Sequence, residues 1–110
     1  MNQVRKILLI EDDRHQQRLM EEMVGSFRRK PFSLTVAVTY SEGLKKLLSG
    51  QYAAALLVDR LGESDGLALL REARIAGSVT PVIVLTAEDS EDVDLAAMEA
   101  GAVDYLVRPR

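Results

Sequence analysis

Short apolar runs alternate with amphipathic segments along the 110 residues of the chain. Five of the runs are continuous enough to form strands that are covered on both faces, as in a parallel sheet. They span residues 6–10, 34–39, 53–58, 80–86 and 103–107. Each intervening segment is long enough for a helix, which is the usual connection between parallel strands. The pattern therefore predicts a βαβαβαβαβ order and an α/β fold with helices on both faces of one sheet.

Helical spacing and capping residues support the four predicted helices. In residues 14–27, an apolar side chain recurs every fourth position from Leu19 to Phe27, which is the stripe of a helix that packs one face on a core. Ser41 and Ser90 are predicted to cap the second and fourth helices, because a serine oxygen accepts a hydrogen bond from a free backbone N–H. A glycine is placed to end each of the last three helices: Gly50, Gly77 and Gly101.

Composition and charge narrow the class of protein. Apolar residues make up 47% and charged residues 28% of the chain, and the length suits one globular domain over residues 1–110. The net charge of −3, with acids and bases interspersed, argues against direct nucleic-acid binding, which usually needs a basic face. The absence of cysteine excludes disulfides, thiolate catalysis and cysteine-bound metals. No apolar run approaches the roughly 20 residues of a membrane helix and no signal peptide is evident, so a cytoplasmic location without membrane contact is expected.

Polar side chains stand directly after four of the predicted strands. Because the carboxyl ends of parallel strands meet at one edge of the sheet, where ligands of such folds bind, we expect these side chains to lie together. Carboxylates suit Mg²⁺, which keeps several waters and takes one or two carboxylates plus a phosphate oxygen. Such a metal and a nearby cation offset the charge that develops during phosphoryl transfer. The residues are Glu11, Asp12 and Asp13 after the first strand, Asp59 after the third, Thr86 after the fourth and Arg108 after the fifth.

Four longer motifs follow one another along essentially the whole chain: ILLIEDD, DGLALLREAR, TPVIVLTA and AMEAGAVDYLVRP. With these motifs the chain resembles the receiver domain of bacterial two-component response regulators. The resemblance implies a flavodoxin-like, doubly wound parallel sheet of five strands in the order 2-1-3-4-5. It also implies that a histidine kinase or a phosphotransfer protein passes a phosphoryl group to an aspartate at the end of the third strand, with bound Mg²⁺. The resemblance does not decide between a monomer and a homodimer. The domain is expected to be a signalling switch rather than a metabolic enzyme.

The resemblance also carries roles to individual residues. Glu11 and Asp12 match the acidic pair of the metal site, with Asp12 as the direct ligand, and Asp59 is the candidate phosphoryl acceptor and a further metal ligand. Thr86 matches the switch hydroxyl that contacts the phosphoryl group, and Tyr105 matches the aromatic residue that reorients with it.

The last motif departs from the family at one position. Arg108 and Pro109 match a Lys-Pro pair whose peptide bond is usually cis in the family. Arginine presents a planar fork where lysine presents a compact point charge, so the exchange is not conservative at a crowded phosphate site. Because the sequence stops at Arg110, we expect the last helix of the fold to be missing from this chain.

The loop after the third strand leaves the reactive position open. The family pattern is D-x-x-x-P-x-x-D-G, or D-Y-R-L-G-x-x-D-G in one branch, and this chain has VDRLGESDG. Aligned without a gap, Val58 occupies the acceptor position, and valine cannot be phosphorylated. Asp59 occupies it only if the strand carries one extra residue, as in a bulge, and the loop one residue fewer. We expect Asp65 and Gly66 to form the turn and helix start.

The predicted fold and the two possible residues at the reactive position are compatible with three functions. The first is a phosphoryl-accepting module that controls a partner or output surface. The second is a pseudo-receiver that binds partner proteins without turning over phosphate, which a valine at the reactive position and Arg108 would favour. The third is a flavodoxin-like nucleotide or flavin binder, which would need a phosphate loop rich in Gly, Ser or Thr after the first strand, where this chain has EDDRHQQ.

Overall fold

The computed structural model describes residues 5–26, 32–87 and 91–107. The strands and helices in these ranges follow the predicted alternation, with one additional pair of short strands. In chain order they are β1 Arg5–Ile10, α1 Arg14–Gly25, β2 Phe32–Ala37, α2 Tyr40–Leu48, β3 Ala54–Val58, β4 Arg60–Leu61, β5 Ser64–Asp65, α3 Gly66–Ile75, β6 Val82–Thr86, α4 Glu91–Ala100 and β7 Asp104–Val107.

The main sheet has five strands in the order β2-β1-β3-β6-β7, and every neighbouring pair is parallel. Since β6 and β7 are the fourth and fifth predicted strands, the predicted order 2-1-3-4-5 is confirmed. The additional strands β4 and β5 form a separate antiparallel hairpin of two residues each. Within the described residues the sheet is accompanied by four helices, α1 to α4.

Two apolar clusters lie on the opposite faces of the sheet. Alternate side chains of a strand point to opposite faces, so Leu8 and Leu9 of β1 enter different clusters, as do Leu56 and Leu57 of β3. Leu8 and Leu57 belong to the larger cluster, which includes side chains from α2, α3 and α4. Leu9 and Leu56 belong to the smaller one, where Met20 of α1 covers the sheet. This double coverage explains why the strand sequences are apolar without alternation.

The boundary between β2 and α2 differs from the prediction. The strand ends at Ala37 rather than at residue 39, and the helix is capped by Thr39 rather than by Ser41. The Thr39 hydroxyl accepts a hydrogen bond from the backbone N–H of Glu42 at 3.2 Å. A β-branched residue favours a strand by pattern alone, but its oxygen also makes it a helix cap. Ser90, the other predicted cap, lies outside the described residues.

Candidate functional site

Asp59 is fixed by three hydrogen bonds at the end of β3. Its backbone N–H donates to the carbonyl of Leu85 at 2.9 Å, and its own carbonyl accepts from the N–H of Gly66 at 2.9 Å. The hydroxyl of Thr86 donates to the carboxylate oxygen Oδ2 of Asp59 at 2.9 Å. Thr86 is completely buried, whereas Asp59 is partly exposed. The arrangement holds one oxygen of a partly exposed carboxylate.

The pairing of β3 shows how Asp59 comes to meet Thr86. Residues 55–58 pair one for one with residues 82–85 of β6, and residues 54–57 pair one for one with β1. The strand therefore carries no bulge between Ala54 and Val58. The alignment with the family pattern had required such an extra residue in the strand for Asp59 to occupy the acceptor position, and this requirement is wrong. The side chain of Val58 is completely buried in the core. The short loop is accommodated after the strand, in the β4–β5 hairpin.

A tight hairpin replaces the longer loop of the family pattern. Arg60 pairs with Asp65, and Leu61 pairs with Ser64, so only two residues form the turn. The first of them, Gly62, has φ +62°, and no non-glycine residue of the described chain has a positive φ. Glycine at the first central position is the signature of a type II′ turn, which matches the twist of a two-stranded hairpin. Sequence analysis missed this hairpin, although the order Leu-Gly-Glu-Ser between two polar residues is compatible with it.

The acids after β1 take different positions. Glu11 is only 1% exposed, and its Oε2 accepts from the N–H of Asp13 at 3.3 Å. The Asp13 carboxylate caps α1 by accepting from the backbone N–H of His15 at 2.8 Å. Asp12 is exposed, and its Oδ2 lies 3.7 Å from where a Cβ on Gly62 would stand. Of these three acids, Asp12 is thus the one that faces the hairpin that follows Asp59.

The carboxylates at this edge of the sheet suit a metal ion that keeps part of its water shell better than a metal ion enclosed by protein ligands alone. No three His, Asp or Glu side chains in the described ranges are grouped closely enough to enclose a metal. Mg²⁺ does not need such a group, because it keeps several waters and binds through one or two carboxylates. Asp12 and Asp59 supply that number at one edge of the sheet, since the registers of β1 and β3 bring Ile10 opposite Leu57. The residues present therefore suit Mg²⁺.

The other predicted site residues are only partly brought to Asp59. Tyr105 pairs with Val84 on the neighbouring strand and packs against the larger core cluster. Arg108 and Pro109, including the predicted cis peptide bond, lie outside the described residues. The described site therefore joins Asp59 to Thr86 and leaves Tyr105 two strands away from β3.

A cavity of about 330 Å³ opens beside Asp59 on the side of α4. It is lined by Asp59, Arg60, Asp65, Leu67, Asp92, Val93 and Ala96. Asp65 also caps α3, since its Oδ1 accepts from the N–H of Leu67 at 2.9 Å, and this confirms the predicted helix start. The cavity thus joins the end of β3, the hairpin and the first turns of α3 and α4.

A side-chain hydrogen bond of Tyr40 links α2 to α3. Its hydroxyl donates to Oε1 of Glu72 at 2.8 Å. Burial, this hydrogen bond and the charges of Glu72 and Asp65 raise the pKa of Tyr40 to about 12. Sequence analysis missed the contact because the two residues are 32 positions apart and no local pattern relates them.

The raised pKa of Tyr40 predicts a loss of stability at high pH. The folded protein holds the phenol proton of Tyr40 more tightly than the unfolded chain does. The contribution of this proton to the free energy of unfolding is therefore complete below the ordinary pKa of 10.0 and is lost as pH rises through about 12. Urea unfolding of the wild type and of Tyr40→Phe measures it. The difference in unfolding free energy between the two proteins should shrink over this interval. A difference that is independent of pH would contradict the assignment.

Comparison with known proteins decides the family. Residues 7–110 match the family model of the response regulator receiver domain. The chain belongs to this family. Among curated relatives of this receiver domain, the transcriptional regulatory protein DltR of Streptococcus agalactiae is 31% identical over 104 residues, which are 94% of this chain and 45% of DltR. This receiver domain therefore spans less than half the length of that relative.

Solved structures agree with the receiver fold. A two-component response regulator from Clostridium difficile is 26% identical, with a TM-score of 0.80 over 96% of this chain and 84% of that one. A response regulator from Burkholderia pseudomallei, with a phosphorylated aspartic acid and a calcium ion, has a TM-score of 0.78 over 96% of this chain and 61% of that one. At 22% identity, the second likeness shows the fold alone. In the described part of this receiver, no helix has the length and apolar character needed to cross a membrane.

Proposed function

We propose that this receiver domain accepts a phosphoryl group on Asp59 in a Mg²⁺-dependent reaction and thereby switches a partner or output surface. The observation that carries the proposal is the hydrogen bond from the Thr86 hydroxyl to the Asp59 carboxylate, at the end of a strand without a bulge. The phosphorylated aspartic acid of the Burkholderia protein, which has the same fold, is consistent with this chemistry. The domain acts as a switch rather than as a metabolic enzyme.

The two carboxylate oxygens of Asp59 have different roles in the proposed reaction. Thr86 holds Oδ2, which leaves Oδ1 as the nucleophile toward phosphorus. The backbone hydrogen bonds from Asp59 to Leu85 and from Gly66 to Asp59 hold the main chain that carries this carboxylate. Holding the nucleophile in place lowers the entropic part of the barrier. After transfer, the hydroxyl of Thr86 is placed to contact the new phosphoryl group.

Asp12 and Asp59 are the residues that would hold Mg²⁺, with buried Glu11 behind Asp12. When bound, the metal supplies positive charge that offsets the negative charge on the phosphoryl oxygens. Without that charge, a carboxylate beside Asp59 would repel an anionic donor. Glu11 contributes by shaping the turn, since its Oε2 accepts from the N–H of Asp13. Because Glu11 is engaged in this hydrogen bond, Asp12 is the direct metal ligand of the pair.

The switch would pass from Thr86 to the strands beside it. Movement of the Thr86 hydroxyl toward a phosphoryl group changes the end of β6, next to which β7 carries Tyr105. A histidine kinase or a phosphotransfer protein is the proposed donor, and Arg108 is the proposed cation at the end of β7. Since DltR is named a transcriptional regulatory protein and is more than twice as long as this chain, we propose that an output region is controlled by the domain.

The second candidate function is a pseudo-receiver that acts through partner binding alone. The shortened hairpin and the arginine at position 108 favour it, because both depart from the family pattern. In this case Asp59 would keep its bond to Thr86 as a structural contact. The two functions differ in one observable, which is phosphoryl gain.

Intact mass after incubation with acetyl phosphate separates the two functions. With Mg²⁺ we expect the folded protein to gain one phosphoryl group, and with excess chelator we expect no gain, because Asp12 and Asp59 then repel the donor. The same incubation of Asp12→Asn should reduce the gain by removing a metal ligand. A folded wild type that gains no mass in Mg²⁺ would support the pseudo-receiver.

A further inference from the structure

We propose that Arg60 draws small, doubly charged acyl phosphates to Asp59 and so sets the donor preference of the site. This inference rests on the proposed function and adds to it a residue to which the family resemblance gives no role. The two faces of the β4–β5 hairpin have different surroundings. The cavity beside α4 is the entrance for the donor.

The hairpin fixes the side on which Arg60 lies. Arg60 is paired with Asp65 and Leu61 with Ser64, and successive side chains of a strand point to opposite faces. Leu61 is only 4% exposed and belongs to the core, so it anchors one face of the hairpin. Arg60 is exposed and lines the cavity of about 330 Å³ that contains Asp59. The anchor thus directs Arg60 toward the opening.

The charges around this cavity single out Arg60. Among the described residues that line it, Asp59, Asp65 and Asp92 carry carboxylates and Arg60 is the one cationic side chain. Within residues 5–26, 32–87 and 91–107, the Arg60 guanidinium makes no hydrogen bond or ion pair. Asp65 already caps α3. The guanidinium is therefore available to an anion that enters the cavity.

The tip and the base of the hairpin face different parts of the site. Gly62 at its tip lies against Asp12, the proposed metal ligand, whereas Arg60 at its base lies on the side of α4. A donor that carries two negative charges meets repulsion from the carboxylates, and one unpaired cation in a cleft raises the local concentration of such an ion. Guanidinium also matches phosphate geometry through paired N–H donors. Arg60 at the base of the hairpin would thus add to the positive charge that Mg²⁺ would supply beside Asp12.

The reaction that Arg60 assists is balanced without a further reactant. An oxygen of the Asp59 carboxylate forms a bond to the phosphorus of acetyl phosphate. The bond from phosphorus to the acyl oxygen breaks, and acetate leaves with that electron pair. No proton is taken up or released at Asp59, and the products are the aspartyl phosphate and acetate. Arg60 contacts the donor and does not itself react.

Initial rates of phosphoryl gain test the proposal on the whole chain, with Mg²⁺ and with acetyl phosphate below saturation. Arg60→Gln should react on the order of threefold to tenfold more slowly than the wild type. Arg60→Lys should keep most of the rate, because it keeps the charge. Arg71→Gln is the matched control, since Arg71 is an exposed arginine of α3 that does not line the cavity. Its rate should equal that of the wild type.

Two further readouts distinguish recognition of the donor from a structural role. Added salt should slow the wild type more steeply than Arg60→Gln, because screening removes an attraction that the variant lacks. Phosphoramidate carries less negative charge at neutral pH, so the variant should lose less with it than with acetyl phosphate. Equal losses with both donors, an equal loss in Arg71→Gln, or an unchanged rate in Arg60→Gln would each overturn the proposal for Arg60 alone. A wild type that gains no phosphoryl group would instead overturn the proposed function.

Discussion

Asp59→Asn should abolish phosphoryl gain from acetyl phosphate, with a rate reduced by on the order of a hundredfold or more. The amide keeps the size of the carboxylate and an oxygen that accepts from Thr86, but it lacks the nucleophilic charge. The change therefore removes the chemistry and retains the contact of 2.9 Å that holds the side chain. Intact mass during the time course measures the effect.

The matched control for this prediction is Asp65→Asn. Asp65 lines the same cavity, and an asparagine keeps the oxygen that caps the N–H of Leu67. This variant should still gain a phosphoryl group, because it loses a charge near the site but not the acceptor. If Asp59→Asn gained as much mass as the wild type while Asp65→Asn did not, the acceptor would lie in the hairpin and the assignment of Asp59 would be wrong.

Gly66→Ala should lower the free energy of unfolding by about 3 kcal/mol. A Cβ at this position would collide with the backbone carbonyl oxygen of Val58, and a carbonyl of a central strand cannot move aside as a flexible side chain can. The N–H of Gly66 also donates to the carbonyl of Asp59 at 2.9 Å, so the start of α3 is pressed onto the end of β3. Urea unfolding of the purified variant measures the loss.

Gly25→Ala provides the control for backbone entropy. Gly25 ends α1 and has a φ outside the positive range, and a Cβ added to it would meet no heavy atom within 4 Å. This change should stabilise the protein by about 0.5 kcal/mol, because alanine loses less backbone freedom than glycine in a helix. If Gly66→Ala were tolerated as well as Gly25→Ala, the close approach of α3 to β3 would not be a constraint. A rate of phosphoryl gain that falls with Gly66→Ala would further link this contact to the position of Asp59.

Sequence patterns predicted the main sheet because its strands are covered on both faces. Runs such as ILLI in β1 and VIVL in β6 have no polar interruption, as expected for parallel strands that are buried on both faces. The acids and Thr86 after these strands were predictable as neighbours, since strand order and direction bring strand ends together. The contact between Asp59 and Thr86 follows from that topology.

The details of the site were less accessible to sequence analysis. The pairs of the β4–β5 hairpin are two residues long, too short for any periodic signal, and they depend on a backbone angle at Gly62. An ungapped alignment with the family pattern placed Val58 at the reactive position because it assigned the loop a fixed length. The β3 ladder, in contrast, aligns Val58 with Leu85 and leaves Asp59 beside Thr86. Tertiary pairing supplied the register that local identity left open.

The most direct test of Asp59 as the acceptor is to locate the modified residue by reductive trapping. Borohydride converts an aspartyl phosphate into homoserine, and trypsin cleaves after Lys46 and Arg60 to release residues 47–60. Asp59 is the only acidic residue in that peptide. The proposed function predicts homoserine at position 59 after treatment with acetyl phosphate and Mg²⁺. Homoserine at position 65, in the peptide of residues 61–71, or an unmodified aspartate at position 59 would contradict it.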